Sequence, residues 1–340
     1  MQPTLAKTQA PRQPAGSLFS SPVFYIGVLV FSAWHIYLHT LAGLTLPVPW
    51  GDEALFVWQA RAFERTYSFI APQIDATRPI LHQPFTYPAI LAFAFTIFGN
   101  GLEVARGVSL VFTLGAFALL AAIVMRRSIP LISIVLIGLF INSASVVAMA
   151  NVARMEAALF FTVCLAMLLL QKREVWLCLA VLSLAPMIHP NGIFFLGAAA
   201  AYGIAVHKIH TTRPPKLAVA VLAVAAILWL ANGVYALSYW DAFVYDLAHR
   251  VGESMTKNEG VAQQAWLLLG LAVIGGIGVI GQRQRQELGV LLVFALGAWL
   301  ASQIRHEQWY APVRHFAYLL IALTVLELAA KALRSLNWAT

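Results

Sequence analysis

Gly51-Asp52-Glu53-Ala54-Leu55-Phe56-Val57-Trp58-Gln59-Ala60-Arg61 sets two adjacent carboxylates directly after a long apolar run, Phe24 to Pro47. Asp52 follows a glycine and precedes a helical pattern, so its side-chain oxygen can cap the helix. Glu53 in the first turn also suits the positive end of the helix dipole. A carboxylate pair held at a membrane surface suits a second role as well, a base and its orienting partner. Local chemistry permits both readings. What the stretch decides is the architecture: an apolar run long enough to cross a bilayer, then the start of an amphipathic helix-like segment.

The rest of the chain agrees. Of 340 residues, 61% are hydrophobic and 11% charged, where a soluble domain carries about 25% charged residues. The composition is that of an integral membrane protein. Met1 to Ser21 is a polar tail with Lys7 and Arg12 and no acid. The apolar run after it ends without a small-residue cleavage pattern and reads as an anchor. Cys164 and Cys178 both lie inside apolar runs, which makes them packing residues and excludes a disulfide framework. The net charge of +8 invites a nucleic-acid partner, but the cations are not interleaved with aromatics on a soluble face. That partner is rejected.

Further apolar runs fall near 86–98, 102–125, 129–150, 155–170, 175–188, 192–206, 217–239, 264–281, 288–303 and 312–330. Most approach the ~20 residues that span a bilayer. The run 86–98 is too short and is bracketed by Pro84, Pro88 and Gly99, so it reads as an interfacial or re-entrant helix. Ten spans remain: an all-α membrane bundle with amphipathic or re-entrant helices in its first outer loop.

The distribution of Lys and Arg sets the sides. With the N-terminus cytoplasmic, the inner segments hold 13 of 22 cations against three acids, Glu174, Glu287 and Glu327. The outer segments hold the other nine cations and 11 of 14 acids. Were 86–98 a span, the basic pair Arg126-Arg127 would fall outside. Both termini are therefore expected in the cytoplasm of a multi-pass inner (plasma) membrane protein. Residues 1–21 form a tail and 22–340 one transmembrane domain, whose first outer loop is 48–101.

Charge that topology does not require collects on the outer side. Arg154 and Glu156, in Asn151-Val-Ala-Arg-Met-Glu156, sit between two apolar runs. Residues two apart do not face each other on a helix, so the two are expected to find partners elsewhere or lie at the boundary. An unpaired charge in hydrocarbon costs about 2.5–3.5 kcal/mol. A structural ion pair between helices and a functional group are the readings open to them. Arg78 and His82, just before Gln83-Pro84, can hold a phosphate, or can be a snorkelling Arg and a loop His. His189-Pro190-Asn191-Gly192 breaks an apolar stretch at an outer end and is a strong turn signal. No Walker loop, HExxH, CxxC or GxSxG occurs.

Taken in order, these pieces resemble the membrane glycosyltransferases that use polyprenyl-phosphate-linked sugars, the group that includes protein O-mannosyltransferases and aminoarabinose transferases. The family's Asp-Glu opening of the first outer loop is similar to Asp52-Glu53 with Arg61 after it. Its Lys-Pro motif before an aromatic helix ending in Phe-Gly is similar to Gln83-Pro84 leading to Phe98-Gly99, with Arg106 beyond. Its Arg-x-Asp-Ala motif looks like Arg154-Met-Glu156-Ala157, and its turn looks like His189 to Gly192. The likeness covers about 24–240 and leaves 241–340 as variable C-terminal helices. Two departures stand out: Gln83 or His82 replaces the usual phosphate-binding lysine, and Glu156 replaces an aspartate.

The resemblance implies a GT-C-type inverting transferase acting on the outer face. Asp52 is then the base that deprotonates the acceptor, Glu53 positions it, and Glu156 supplies the second acid. Arg61, Arg78, His82 and His189 are the candidates for the lipid phosphate, with Gln83, Arg106, Arg154 and Asn191 as further substrate contacts. The implied partners are a polyprenyl-phosphate sugar donor, a lipid, glycan or protein acceptor, and membrane lipids. No cofactor is required; a divalent cation on Asp52, Glu53 and Glu156 is compatible, since carboxylates are hard oxygen ligands. A transporter of a lipid-linked sugar would use the same cations without transfer, and would show internal repeats and broken midplane helices. A non-catalytic scaffold leaves the outer charges without a purpose.

Overall fold

A computed structural model describes residues 22–45, 51–77, 79, 83–125, 127, 129–207, 209–255, 282–302 and 311–336. Among them the regular structure is helical: α1 (Pro22–Thr45), α2 (Gly51–Thr66), α3 (Thr86–Phe98), α4 (Leu102–Val124), α5 (Pro130–Ile141), α6 (Ala144–Ala150) and α7 (Met155–Gln171). Then follow α8 (Val175–Ile188), α9 (Gly192–His207), a 3-10 turn (Ile209–Thr211), α10 (Lys216–Ser238), α11 (Trp240–Met255), α12 (Gln282–Ser302) and α13 (Ala311–Leu336). Each described apolar run of the sequence is helical, 129–150 as two helices.

Four of these, α1, α4, α10 and α13, are long and apolar enough to cross a membrane. The chain is a multi-pass membrane protein. Counting α5 and α6 together as one bent span gives five, and α7, α8, α9 and the apolar part of α12 are shorter apolar helices packed among them. The ten expected crossings rest in part on these shorter helices and on 264–281, which lies outside the described residues. Helix α3, with 13 residues, is about 20 Å long at 1.5 Å per residue, short of the ~30 Å hydrocarbon core. It packs against α2 and α4, as an interfacial helix does.

The run 129–150 departs from its sequence reading. It is not one helix: α5 and α6 meet at 62° across Asn142-Ser143. The cause is local. The Asn142 side-chain amide donates to the Gly138 carbonyl (2.9 Å) and the Phe31 carbonyl (3.2 Å), offering the backbone an alternative to the helical ladder. Ser143 is already extended, with φ −68° and ψ 150°. Gly138 lets α1 approach here, because a Cβ at that position would run into the Phe31 ring.

Helix α4 packs on α7, α7 on α8, and α12 on α9 and α13. Phe117, Leu120, Ile123, Ile137, Met167, Phe294 and Phe316 fill the shared core. Cys164 and Cys178 are free and buried there, as packing residues. Helices α1 and α10 sit at the edge and present apolar side chains such as Leu29, Val30, Ile227 and Leu230 outward, the pattern of a lipid-facing surface.

Candidate functional site

The chemistry collects at the bundle end that holds the start of α2, the start of α4, the α6–α7 turn and the α8–α9 turn. Glu53, in the first turn of α2, is completely buried. Its Oε1 accepts from Arg106 Nε (2.9 Å) and from the Ala153 N–H (2.9 Å), and its Oε2 accepts from Arg106 Nη2 (2.9 Å). A bidentate guanidinium fork on a carboxylate is the strong, geometry-fixing form of ion pair. Three segments far apart in sequence are thereby tied at one carboxylate. Both Glu53 oxygens are engaged, which fixes the carboxylate between these three segments.

Below this clamp runs a second brace. Ser109 lies three residues after Arg106 and so on the same face of α4. Its hydroxyl donates to the Val152 carbonyl (2.8 Å) and pairs with the Tyr87 hydroxyl (3.0 Å). Burial pushes the Tyr87 phenol well above its ordinary range, which keeps it a neutral hydrogen-bonding group. Neither residue stood out in the sequence reading. The signal was there as the polar series Arg106, Ser109, Thr113 at helical spacing along α4, all buried.

Arg154 and Glu156 correct an expectation. They neutralise each other: Arg154 Nη2 lies 2.7 Å from Glu156 Oε1, and Nε donates to Oε2 at 3.2 Å. Both are buried. The helical spacing rule does not apply because Arg154 precedes the helix, with extended φ −134° and ψ 157°, and only Glu156 stands in the first turn of α7. Glu156 also borders a small apolar cavity with Phe160, Phe195 and Phe316.

The turn 189–192 is built as a fixed corner. His189 is buried, and its Nδ1 accepts from the Asn191 N–H at 3.1 Å. The Asn191 side chain donates to the Ala301 carbonyl of α12 at 3.4 Å. Gly192 is required by close approach: a Cβ there would meet the Ala185 carbonyl group and the Pro186 nitrogen, which are backbone and cannot swing aside. Gly192→Ala is expected to cost ~1–3 kcal/mol by overpacking, read as a lower thermal unfolding midpoint in detergent. An unchanged midpoint would contradict that packing.

The remaining expected residues are placed as follows. Arg61 donates Nη2 (2.6 Å) and Nε (3.1 Å) to the Asn100 carbonyl and lies over Trp58 at 4.9 Å, so it ties α2 to the loop after α3. Gln83 is half-buried, and its Oε1 has no hydrogen-bond partner. Arg78 and His82 lie outside the described residues, as does the side chain of Asp52, whose backbone belongs to the first turn of α2. Among the described residues no three His, Cys, Asp or Glu side chains converge to hold a metal.

No protein-family model matches the chain, and no curated protein matches it in sequence. In structure it is similar to the crystal structure of ArnT from Cupriavidus metallidurans bound to undecaprenyl phosphate, with a TM-score of 0.62 at 13% identity. The likeness covers 91% of this chain and 60% of that one, so the chain spans about three-fifths of the length of ArnT. At that identity the likeness is one of fold: the described residues form a helical membrane bundle like that of ArnT.

Proposed function

We propose that the chain is an inverting membrane glycosyltransferase that moves a sugar from a polyprenyl-phosphate donor to an acceptor on the outer face. The observation that carries this is the Glu53–Arg106–Ala153 clamp. It anchors α2 through the residue next to Asp52, the general base of this reading. A group that must act on a substrate needs its support fixed by other residues.

In this reading Asp52 takes the proton of the acceptor hydroxyl as its oxygen attacks the anomeric carbon. The carbon–oxygen bond to the donor phosphate breaks on the opposite face, and the electron pair leaves on polyprenyl phosphate. Arg61, Arg78, His82, Gln83, His189 and Asn191 stand as groups that hold or screen that phosphate. Preorganised cations act most strongly where water is excluded, and the paired Arg154–Glu156 and the apolar wall beside it make such a place. The acceptor is a lipid, glycan or protein hydroxyl, and a divalent cation remains compatible.

Native mass spectrometry of the protein purified in mild detergent tests the donor class. A co-purified polyprenyl phosphate, bare or glycosylated, is expected; bound phospholipids alone would contradict it. A second reading, a transporter of the same lipid-linked sugar, draws on one observation, the 62° break between α5 and α6, since transporters build sites at broken helices.

The side assignment is tested by labelling. A single cysteine in place of Gly101 should react with an impermeant thiol reagent from outside, and one in place of Arg173 only after permeabilisation. Buried Cys164 and Cys178 keep the background low. The opposite pattern would invert the topology and place the clamp in the cytoplasm.

A further inference from the structure

The bundle end opposite the clamp carries a second concentration of charge. Helix α7 begins beside Arg154 and ends at Gln171, and α9 begins at the 189–192 corner and ends at His207. The α7–α8 turn and the α9–α10 link therefore share that far end. Together they bring four exposed cations, Lys172, Arg173, Arg213 and Lys216, and one exposed acid, Glu174. None of the five is ion-paired among the described residues. Packing draws the two connections together. A Cβ at Gly203 of α9 would come within 3.1 Å of Val175 and 3.3 Å of Ile209, so α9 lies close against the start of α8 and the 3-10 turn. The Trp176 indole donates to the Thr212 hydroxyl at 2.9 Å, which ties α8 to the residue before Arg213. Arg173 lies within electrostatic range of Tyr202 and His207, whose rings meet at 5.5 Å near the end of α9.

The backbone at Arg173 is unusual. Helix α7 ends in a Schellman pattern, in which the Glu174 N–H donates to the Leu169 carbonyl and the Arg173 N–H to the Leu170 carbonyl, both at 2.9 Å. The residue at this point of the motif is left-handed and usually glycine; here it is Arg173, with φ 66°. Glycine would take that φ without strain, so turn formation alone does not account for an arginine. Nor does the negative end of the α7 dipole, because Lys172 already supplies a cation there. The neighbouring surface indicates what the cations face. Ile204 and Val206 in the last turn of α9, and Leu217 and Val219 in the first turn of α10, are exposed, and α10 is long and apolar enough to span. Unpaired positive charge thus borders a lipid-facing apolar surface. A ligand that suits both has an anionic head and apolar tails, and basic patches beside membrane helices recognise such lipids.

We propose that the face formed by the α7–α8 turn and the α9–α10 link binds the headgroup phosphate of an anionic phospholipid, with Arg173 and Arg213 as its main contacts. Their guanidinium forks match phosphate geometry, and Lys172 and Lys216 add charge at the rim. The tails lie along the exposed side chains of α9 and α10. This lipid is held at the end of the bundle away from the clamp and does not depend on glycosyl transfer.

Lipid titration of the full chain in mild detergent tests this, with bound lipid counted by native mass spectrometry and the unfolding midpoint read beside it. Phosphatidylglycerol should bind and raise the midpoint, as a ligand of the folded state does; phosphatidylcholine and inorganic phosphate should not. Arg173→Gln combined with Arg213→Gln should weaken phosphatidylglycerol binding about 25-fold, roughly fivefold for each cation. Lys7→Gln combined with Arg12→Gln removes the same charge from the N-terminal tail and should leave binding as in the wild type. Arg173→Gly separates binding from structure: without lipid its midpoint should equal or exceed that of the wild type, while binding falls about fivefold. Unchanged binding in the Arg173/Arg213 pair, or equal losses in the two pairs, would overturn the site. An equal response to phosphatidylcholine would remove the headgroup from recognition, and an equal response to inorganic phosphate would remove the tails; either result overturns the proposal. A lower lipid-free midpoint in Arg173→Gly, with binding intact, would make Arg173 a structural cap and overturn its role here.

Discussion

Asp52→Asn is expected to give a folded, donor-binding protein whose turnover falls by roughly 10² to 10⁴, the usual contribution of a positioned general base. Asparagine caps a helix about as well as aspartate, so the change in stability should stay below ~1 kcal/mol. The structure adds a second reason: α2 is held through Glu53, whose three hydrogen bonds do not involve the Asp52 side chain. Loss should therefore appear in kcat with donor affinity little changed, as for an interaction made in the transition state. An Asp52→Asn variant with full turnover would remove Asp52 from catalysis and leave it a helix cap.

Glu53→Ala should have the largest effect on stability, about 3–5 kcal/mol. It strips Arg106 of its counter-charge at a buried position and leaves the Ala153 N–H without an acceptor. Arg106→Met should cost a similar amount for the mirror-image reason. Replacing both, as Glu53→Leu with Arg106→Met, should recover part of the loss, because a buried ion pair exchanged for apolar groups is often near neutral. Recovery would be incomplete, since Ala153 stays unpaired. Turnover should not recover with stability, because the link that sets the start of α2 would be gone. Thermal unfolding in detergent reads the stabilities; simply additive losses in the double variant would show that the two residues do not act as a pair.

Much of this was legible in the sequence. Apolar run length and proline or glycine punctuation located most of the described helices to within a few residues, since membrane helices must satisfy their backbone internally, but not α11, which falls between the apolar runs. The brevity of 86–98 marked α3 as unable to span. The Asp52-Glu53 pair marked the start of α2, though not that Glu53 would be sealed inside. That outcome depends on Arg106 and Ala153, which lie 53 and 100 residues away, and no local pattern encodes such a meeting. The Arg154–Glu156 pairing was missed because a helical rule was applied one residue beyond the helix start. The α5–α6 break was missed because hydropathy is blind to an asparagine whose side chain bonds its own helix.

The most direct measurement is the fate of the donor itself in proteoliposomes of known orientation, given a polyprenyl-phosphate sugar labelled in the sugar and an outer-envelope extract as acceptor. A glycosyltransferase predicts release of unglycosylated polyprenyl phosphate in step with label appearing on acceptor, on the outer face, with inverted anomeric configuration, and abolished in Asp52→Asn. Labelled donor that crosses the bilayer with its sugar–phosphate bond intact, in wild type and Asp52→Asn alike, would contradict glycosyl transfer and establish a transporter in its place.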